Sequence, residues 1–308
     1  MPPLDYIHVD VFSAHPFSGN SLPVFLDANG LSGTEMLRIT QELRHFEAIF
    51  LRSTDRVDTM EARIFDLFGE LPFAGHPLLG AAAALHDRSG SADDFTWRFM
   101  LGNREVTVAV ERTAIGFSVR MDQGAPEFLT EVGGRDDIAH AFSLSPTDLD
   151  PDLPCEVVST GLRYLIVPVR PDALAWARVA SDLTSFLMDR GAQFAVLFDK
   201  SGMEVRHWNN DGIMEDVATG SAAGTIGAFC LKHGIVVANE SFVLHQGRHT
   251  GRPSQLRVIA EGSRDVVTTV KVGGDVAVVG RGTLEARPGL AEELVHNENP
   301  AGPEVQIR

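Results

Sequence analysis

The chain has few cysteines, few basic residues relative to acidic ones and no long apolar run. Its 308 residues include two cysteines, Cys155 and Cys230. Two cysteines cannot build a disulfide framework, and their spacing matches no zinc motif. We interpret both as small apolar residues buried in the core.

The balance of charges is acidic. There are 42 Asp and Glu residues against 26 Lys and Arg, for a formal net charge of −16. Nucleic acids and anionic membrane surfaces require clusters of basic residues, so neither is expected as the main partner. The N-terminal segment MPPLDYIHVD lacks the basic start and apolar centre of a signal peptide. Together with the absence of a membrane-spanning apolar run, this predicts a cytoplasmic protein.

Several common functional motifs are also missing. GSAAG around Ser221 is not the G-x-S-x-G of a serine hydrolase, and neither GHPLLG nor TGSAAG has the lysine or glycine spacing of a nucleotide-binding loop. His245 and His249 are four residues apart, but they lie in a strand and loop, where that spacing does not bring two ligands together. The sequence therefore predicts no metal site.

Two segments consist largely of glycine and alanine. They read ELPFAGHPLLGAAAAL, from residue 70, and EDVATGSAAGTIGAFCLKHG, from residue 215. Pro77 fits the first turn of a helix, so the first segment is predicted to be helical from His76, and Gly234 is a plausible C-cap for the second. Neither helix has an amphipathic stripe, which is typical of a helix enclosed on all sides by closely packed elements.

Short alternating segments that flank these helices predict strands. In the first half they are Tyr6–Ser13, Leu22–Asp27, Glu47–Leu51, Asp58–Asp66, Asp94–Leu101, Arg104–Glu111 and Ile115–Met121. In the second half they are Arg163–Val169, Phe194–Phe198, Glu204–Trp208, Ser241–His245, Gln255–Ala260, Val266–Val272 and Val276–Gly280. The capping box Ser32 to Glu35 begins a further helix, and an amphipathic pattern predicts another near residues 172–190.

The arrangement of these elements favours an α+β fold with two similar domains. We place an N-terminal domain at residues 1–124 and a C-terminal domain at 125–285, with one small-residue helix in each, which suggests an internal duplication. Residues 123–153 are rich in Pro, Gly and Asp and are predicted to cross between the domains, with a short helix. Residues 286–308 are predicted to form a mobile tail.

The starts of the two small-residue helices are candidate binding positions. Each helix start collects unpaired N–H groups and the positive end of a helix dipole, which together favour a small carboxylate. Gly75 and Gly220 would let a ligand approach the backbone closely, and His76 and Ser221 add side-chain donors. A small carboxylate-bearing substrate is therefore the expected ligand.

Glu47 is the best candidate for proton transfer. It lies beside apolar residues, where desolvation would raise its pKa towards the range useful for acid and base catalysis. Asp216 could orient the substrate or accept a proton. Each residue also has a purely structural interpretation: Glu47 could be a solvated residue at a strand edge, and His76, Asp216 and Ser221 could be helix caps.

Five segments, in order, resemble one known family. They are DVFSAHPFSGNSLPVFLDANGLS, RHFEAIFL, ELPFAGHPLLGAA, DGIMEDVATGSAAG and HQGRHTGRPSQLRV, and they span the chain from about Asp10 to Leu284. Together they are similar to the phenazine-biosynthesis isomerase (PhzF-like) family, within the diaminopimelate-epimerase-like fold. The resemblance implies two similar domains, each an antiparallel sheet or barrel wrapped around its central helix, with the active site in the cleft between them.

The resemblance also implies a reaction. In the family, a glutamate moves a proton on the carbon skeleton of trans-2,3-dihydro-3-hydroxyanthranilate from C3 to C1, with help from a His, an Asp and a Ser, without a cofactor or metal. The matching catalytic positions are Glu47, His76, Asp216 and Ser221, and the expected substrate-binding positions are Asn20, Gly75 and Gly220. The family expectation for assembly is a homodimer.

Two other functions stay open from sequence. One is an epimerase or tautomerase of an amino-acid-like metabolite, and the other is a protein that binds a small acid without catalysis. Racemases and epimerases of this fold use two cysteines on opposite sides of the substrate carbon. Neither Cys155 nor Cys230 lies in the loops in question, which argues against a two-thiol mechanism.

Overall fold

A computed structural model describes residues 3–288 of the chain. The strands are β1 Leu4–Val11, β2 Asn20–Phe25, β3 Glu47–Ser53, β4 Thr59–Asp66, β5 Glu70–Leu71, β6 Phe95–Leu101, β7 Arg104–Arg112, β8 Phe117–Asp122, β9 Glu127–Glu131, β10 Glu156–Ser159, β11 Arg163–Pro168, β12 Phe194–Asp199, β13 Glu204–Arg206, β14 Ser241–Gln246, β15 Ser254–Gly262 and β16 Val267–Leu284. The helices are α1 Gly33–Leu43, α2 Gly75–Ser89, α3 Arg135–Ala141, α4 Ala173–Trp176, α5 Thr184–Met188 and α6 Gly220–Lys232.

Eight strands close into a barrel around α2. Their order is β1, β2, β3, β4, β6, β7, β8 and β16, and β16 pairs with β1 to complete the ring. The helix is buried on every side from Gly75 to His86, as its lack of bulky residues requires. A Cβ built on Gly80 would lie 2.5 Å from Leu22 Cδ2, so this wall of the barrel packs directly against the helix backbone.

A second curled sheet surrounds α6. Its strand order is β16, β15, β14, β13, β12, β11, β10 and β9. A Cβ on Gly227 would lie 2.5 Å from Val258 Cγ1, which repeats the close helix-to-sheet contact of the barrel. The two small-residue helices, each enclosed by its own sheet in an α+β fold, are present as the sequence predicts.

The sheet is mixed, whereas the family resemblance implied antiparallel pairing. Four strand pairs within residues 3–288 are parallel: β2 with β3, β4 with β6, β11 with β12, and β13 with β14. Each pair is connected through helical structure, because a parallel connection must carry the chain back to the starting edge. The helices that connect β4 to β6 and β13 to β14 are α2 and α6, and each lies inside its own curled sheet.

One long strand, β16, belongs to both sheets. We expected two strands separated at Gly273 and Gly274, but pairing continues through both glycines. A Cβ on Gly273 would lie 2.1 Å from the Val119 carbonyl oxygen, and one on Gly274 would lie 2.8 Å from Phe12 Cδ1. These glycines permit close approach of neighbouring backbone and side chains; they do not end the strand.

The prediction of a single helix near residues 172–190 is wrong. The segment forms two short helices, α4 and α5, with an irregular link between them. In the link, the amides of Arg178 and Ala180 donate to the carbonyls of Phe142 and Ala141, so tertiary hydrogen bonds replace helical ones. Asp182 then accepts from the amide of Thr184 and begins the next turn.

The remaining expectations concern the core and the chain ends. Cys155 and Cys230 are 1% and 0% exposed, which confirms that both are buried. No helix within residues 3–288 is long and apolar enough to cross a membrane. The domain division at residue 124 stays a prediction, and most of the predicted tail lies outside the described residues.

Candidate active site

The first turns of α2 and α6 border the same cavity, whose volume is about 240 Å³. From α2 and the residue before it come Ala74, Gly75 and His76, and from the other helix come Gly220 and Ser221. The N-termini of two helices therefore border one cavity. This is the arrangement expected for binding a small anion.

Glu47 and His76 meet at one wall of this cavity. Glu47 is the first residue of β3, and its Oε2 lies 3.4 Å from Nδ1 of His76, which is in the first turn of α2. Both side chains are buried. Neither Glu47 Oε2 nor His76 Nε2 has a hydrogen-bond partner within the described part of the chain. Two titratable side chains of the cavity wall thus each have an atom without a hydrogen-bond partner in this part of the chain.

Burial shifts the pKa values of both groups. For Glu47, desolvation raises the pKa well above its ordinary value, and the negative charges of Asp216 and Asp66 raise it further. For His76, desolvation lowers the pKa to about 4, against an opposing effect of Asp216. The imidazole is therefore neutral at pH 7, and the Glu47 carboxyl holds a proton more tightly than a solvated glutamate would.

Asp216, unlike Glu47, accepts hydrogen bonds from protein groups at both of its carboxyl oxygens. Its Oδ1 accepts from Nδ2 of Asn20 at 3.2 Å and from the amide of Ala218 at 3.3 Å, and its Oδ2 accepts from the Thr219 hydroxyl at 2.5 Å. These donors stabilise a negative charge. The site thus contains two carboxyl groups in contrasting environments: both oxygens of Asp216 accept hydrogen bonds, whereas Glu47 Oε2 has no partner within residues 3–288.

Buried amides hold the loop that carries Asp216. The Gln246 side chain accepts from the Thr219 amide at 2.9 Å and donates to the Asp216 carbonyl at 3.0 Å. Asn20 also donates to the Ala218 carbonyl at 3.0 Å. Because Asn20 belongs to the barrel and the loop to the other sheet, its amide connects the two across the cleft.

Ser221 forms a hydrogen bond with Tyr164, a residue that sequence analysis did not identify as part of the site. Its Oγ lies 2.8 Å from the Tyr164 hydroxyl, on β11, and burial raises the pKa of that phenol. Tyr164 is therefore a neutral hydrogen-bonding group beside the start of α6.

Six of the seven predicted site residues line the cavity: Glu47, Gly75, His76, Asp216, Gly220 and Ser221. Asn20 lies behind the lining and contacts the Asp216 loop. Direct binding of substrate by Asn20 stays a prediction, as do the roles of the other six.

Sequence analysis missed Tyr164, His207 and Asp66, which also line the cavity. All three come from strands or strand ends that only the fold brings near the helix starts, and no motif marks them. The alternating pattern of β11 predicts that Tyr164 is buried, but it does not predict the Ser221 contact.

The two thiols are not part of the cavity lining. Neither Cys155 nor Cys230 lines the cavity, and burial raises the pKa of Cys155 to about 11. Within residues 3–288, no three His, Cys, Asp or Glu side chains are arranged to hold a metal ion.

The raised pKa of Glu47 makes a prediction about stability. The folded protein prefers the neutral form of Glu47. The contribution of this residue to the stability of the folded state is therefore complete below 4.5, the pKa of Glu47 in the unfolded chain, and is lost as the pH rises through its higher pKa in the folded state. We expect Glu47→Gln, which cannot ionise, to be increasingly more stable than the unaltered protein as pH rises. The gain is about 1.4 kcal/mol for each unit by which the pKa is raised.

Melting temperatures at pH 4.5 and pH 8 measure this effect. The control is Glu240→Gln, because Glu240 is exposed in the loop before β14. A gap between Glu47→Gln and the unaltered protein that is equal at both pH values would contradict the assignment.

The chain matches the family described as "Phenazine biosynthesis-like protein" over residues 9–282. The chain belongs to this PhzF-like family. A trans-2,3-dihydro-3-hydroxyanthranilate isomerase from Pseudomonas chlororaphis is 34% identical over 292 residues, covering 91% of this chain and 98% of the relative. This PhzF-like protein is therefore an isomerase by family.

Solved structures agree on the fold. A predicted epimerase from Pseudomonas aeruginosa has a TM-score of 0.86 at 45% identity, covering 92% of this chain and 99% of the other. A hydroxyproline epimerase from Agrobacterium vitis has a TM-score of 0.62 at 13% identity, covering 94% and 96% respectively. At that identity the second comparison shows only that this PhzF-like protein shares the two-domain epimerase-like fold.

Proposed function

We propose that this protein isomerises a small carboxylated substrate with amino or hydroxyl substituents, and that Glu47 moves one proton between two of its carbons. The observation that carries the proposal is Glu47, a buried residue of the cavity wall whose Oε2 has no hydrogen-bond partner within residues 3–288. A carboxyl group with a raised pKa can both accept and return a proton near neutral pH.

The other side chains have supporting roles in this proposal. The N–H groups at the starts of α2 and α6 bind the substrate carboxylate and stabilise the charge that develops on it when the carbon loses its proton. Neutral His76 orients the Glu47 carboxyl, whose Oε2 is 3.4 Å away. Asp216 supplies a fixed negative charge for an amino group, and Ser221, supported by Tyr164, adds a hydrogen bond.

The type substrate of the proposal is trans-2,3-dihydro-3-hydroxyanthranilate, on which the Pseudomonas chlororaphis relative is named to act. The resemblance extends the proposal to a cytoplasmic homodimer that uses no cofactor. A two-thiol epimerase mechanism is not proposed, because both cysteines lie outside the cavity lining.

Solvent deuterium tests the proposal. The protein is incubated in D₂O with a panel of small cyclic and acyclic amino and hydroxy acids that includes trans-2,3-dihydro-3-hydroxyanthranilate. We expect deuterium on a substrate carbon, detected by NMR, because the proton that Glu47 carries exchanges with solvent before it is returned to carbon. Deuterium at one carbon together with a changed double-bond position indicates isomerisation, whereas exchange with inverted configuration indicates epimerisation.

The opposite outcome is also informative. If a panel member raises the melting temperature but is neither deuterated nor isomerised, the protein binds small acids without catalysing proton transfer, and the proposal is contradicted.

A further inference from the structure

His207 is a buried histidine in the cavity wall that the proposed proton transfer does not use. It directly follows β13, is 6% exposed and lines the same cavity as Glu47. Its ring contacts two other rings of that wall, with centroids 5.6 Å from Tyr164 and 5.9 Å from Phe194. The three rings form an aromatic wall, which we define as Tyr164, Phe194 and His207.

One hydrogen bond determines which ring nitrogen of His207 carries the proton. Nδ1 lies 2.8 Å from the backbone carbonyl oxygen of Ala195 on β12. A carbonyl oxygen only accepts, so Nδ1 must donate. Burial lowers the pKa of His207, which keeps the ring neutral at pH 7. In the neutral ring, Nε2 is then an unprotonated acceptor.

That acceptor has no partner within the described residues. Within residues 3–288 the His207 side chain makes the Ala195 hydrogen bond and the two ring contacts, while its backbone carbonyl accepts from the Asp216 amide. The edge of the ring that carries Nε2 is turned away from Ala195, and the ring lines the cavity. An acceptor in a cavity wall that has no protein partner gains a hydrogen bond when a ligand places a donor beside it.

We propose that Nε2 of His207 accepts a hydrogen bond from an O–H or N–H group of the substrate, so that the enzyme selects substrates carrying a donor against the aromatic wall. The inference rests on the proposed function, since it concerns the same cavity. It goes further by assigning a specificity-determining residue and one required substituent. A site built to accept a hydrogen bond from a substrate group discriminates against an analogue that lacks that donor.

Three small aromatic acids test this proposal: a reference acid with two hydrogen-bond donors, and two analogues that each lack one of them. They are 3-hydroxyanthranilate, anthranilate, which lacks the hydroxyl group, and 3-hydroxybenzoate, which lacks the amino group. Calorimetry gives the dissociation constant of each for the unaltered protein and for His207→Asn. The Asn amide can still donate to the Ala195 carbonyl, but it has no atom at the position of Nε2.

For the unaltered protein, we expect removal of one of the two donors to weaken binding about tenfold. In His207→Asn the same removal changes affinity less than about twofold. His207→Phe, which preserves the ring packing, is a second test, and His207→Gln, whose amide reaches the Nε2 position, should restore part of the discrimination. Melting temperatures verify that each variant is folded.

Equal affinity ratios in the unaltered protein and in both His207→Asn and His207→Phe would overturn the proposal. Failure of 3-hydroxyanthranilate to bind the unaltered protein would also overturn it. The proposed proton transfer fails separately, through the absence of carbon deuteration, so the two failures are distinguishable.

Discussion

Glu47→Gln is expected to lower the rate of carbon deuteration by about 10³-fold or more, because the amide cannot take up and return a proton. The substitution is nearly isosteric and removes no hydrogen bond from Oε2, which has none within the described residues. The fold and the binding of 3-hydroxyanthranilate should therefore persist. Single-turnover deuteration by NMR, with calorimetric binding of the same ligand, separates loss of chemistry from loss of affinity.

Two further variants make this test specific. Glu240→Gln, on the exposed surface, is the matched control and should keep full activity. Glu47→Asp retains the carboxyl group but withdraws it by one methylene, and it should keep a small fraction of the rate. Full turnover by Glu47→Gln would exclude Glu47 as the proton carrier.

Gly80→Val is expected to destabilise the protein by about 3 kcal/mol through overpacking. Gly80 is in the middle of α2, where an added Cβ would lie 2.5 Å from Leu22, 3.0 Å from Val11 and 3.1 Å from Val9. Those residues belong to β1 and β2, which the closed barrel holds in place. A β-branched side chain therefore has no free rotamer, and urea unfolding measures the loss.

Gly133→Val is the control for this prediction. Gly133 precedes α3, is exposed and has nothing within 4 Å of an added Cβ, so the free energy of unfolding should change by less than about 0.5 kcal/mol. Gly80→Ala should fall between the two, since the end of the Leu22 side chain can move. Equal stability of Gly80→Val and Gly133→Val would show that the barrel does not press on the helix.

The small-residue helices were the most informative part of the sequence. A run such as Gly80 to Ala84 has no stripe of bulky residues to bury, and that physical constraint alone predicts a helix enclosed by other elements. It does not predict which strands enclose the helix or in what order, because strand pairing depends on contacts between distant residues. The family resemblance implied a sheet or barrel around each helix, but neither the strand order nor the parallel pairs.

The site was predictable only where it coincides with local motifs. Glu47, His76, Asp216 and Ser221 lie in segments with recognisable sequence and line one cavity. His207 could not be predicted, because its chemistry depends on the carbonyl of a neighbouring strand.

Helix prediction between residues 172 and 190 failed for a related reason. The local pattern is amphipathic, but amides in the middle of the segment bond to the α3 region instead of to the preceding turn. Tertiary hydrogen bonds therefore outweighed intrinsic helix preference.

The shared strand β16 has a consequence for biosynthesis. The N-terminal barrel is completed only when β16 pairs with β1, and that register joins Leu4 to Leu284. A ribosome must therefore translate nearly the whole chain before the first barrel can close, and until then β1 and β8 are unpaired edges. Truncation before residue 267 would leave the first half of the protein open as well as the second, so an incomplete chain would be exposed to aggregation and proteolysis along its entire length.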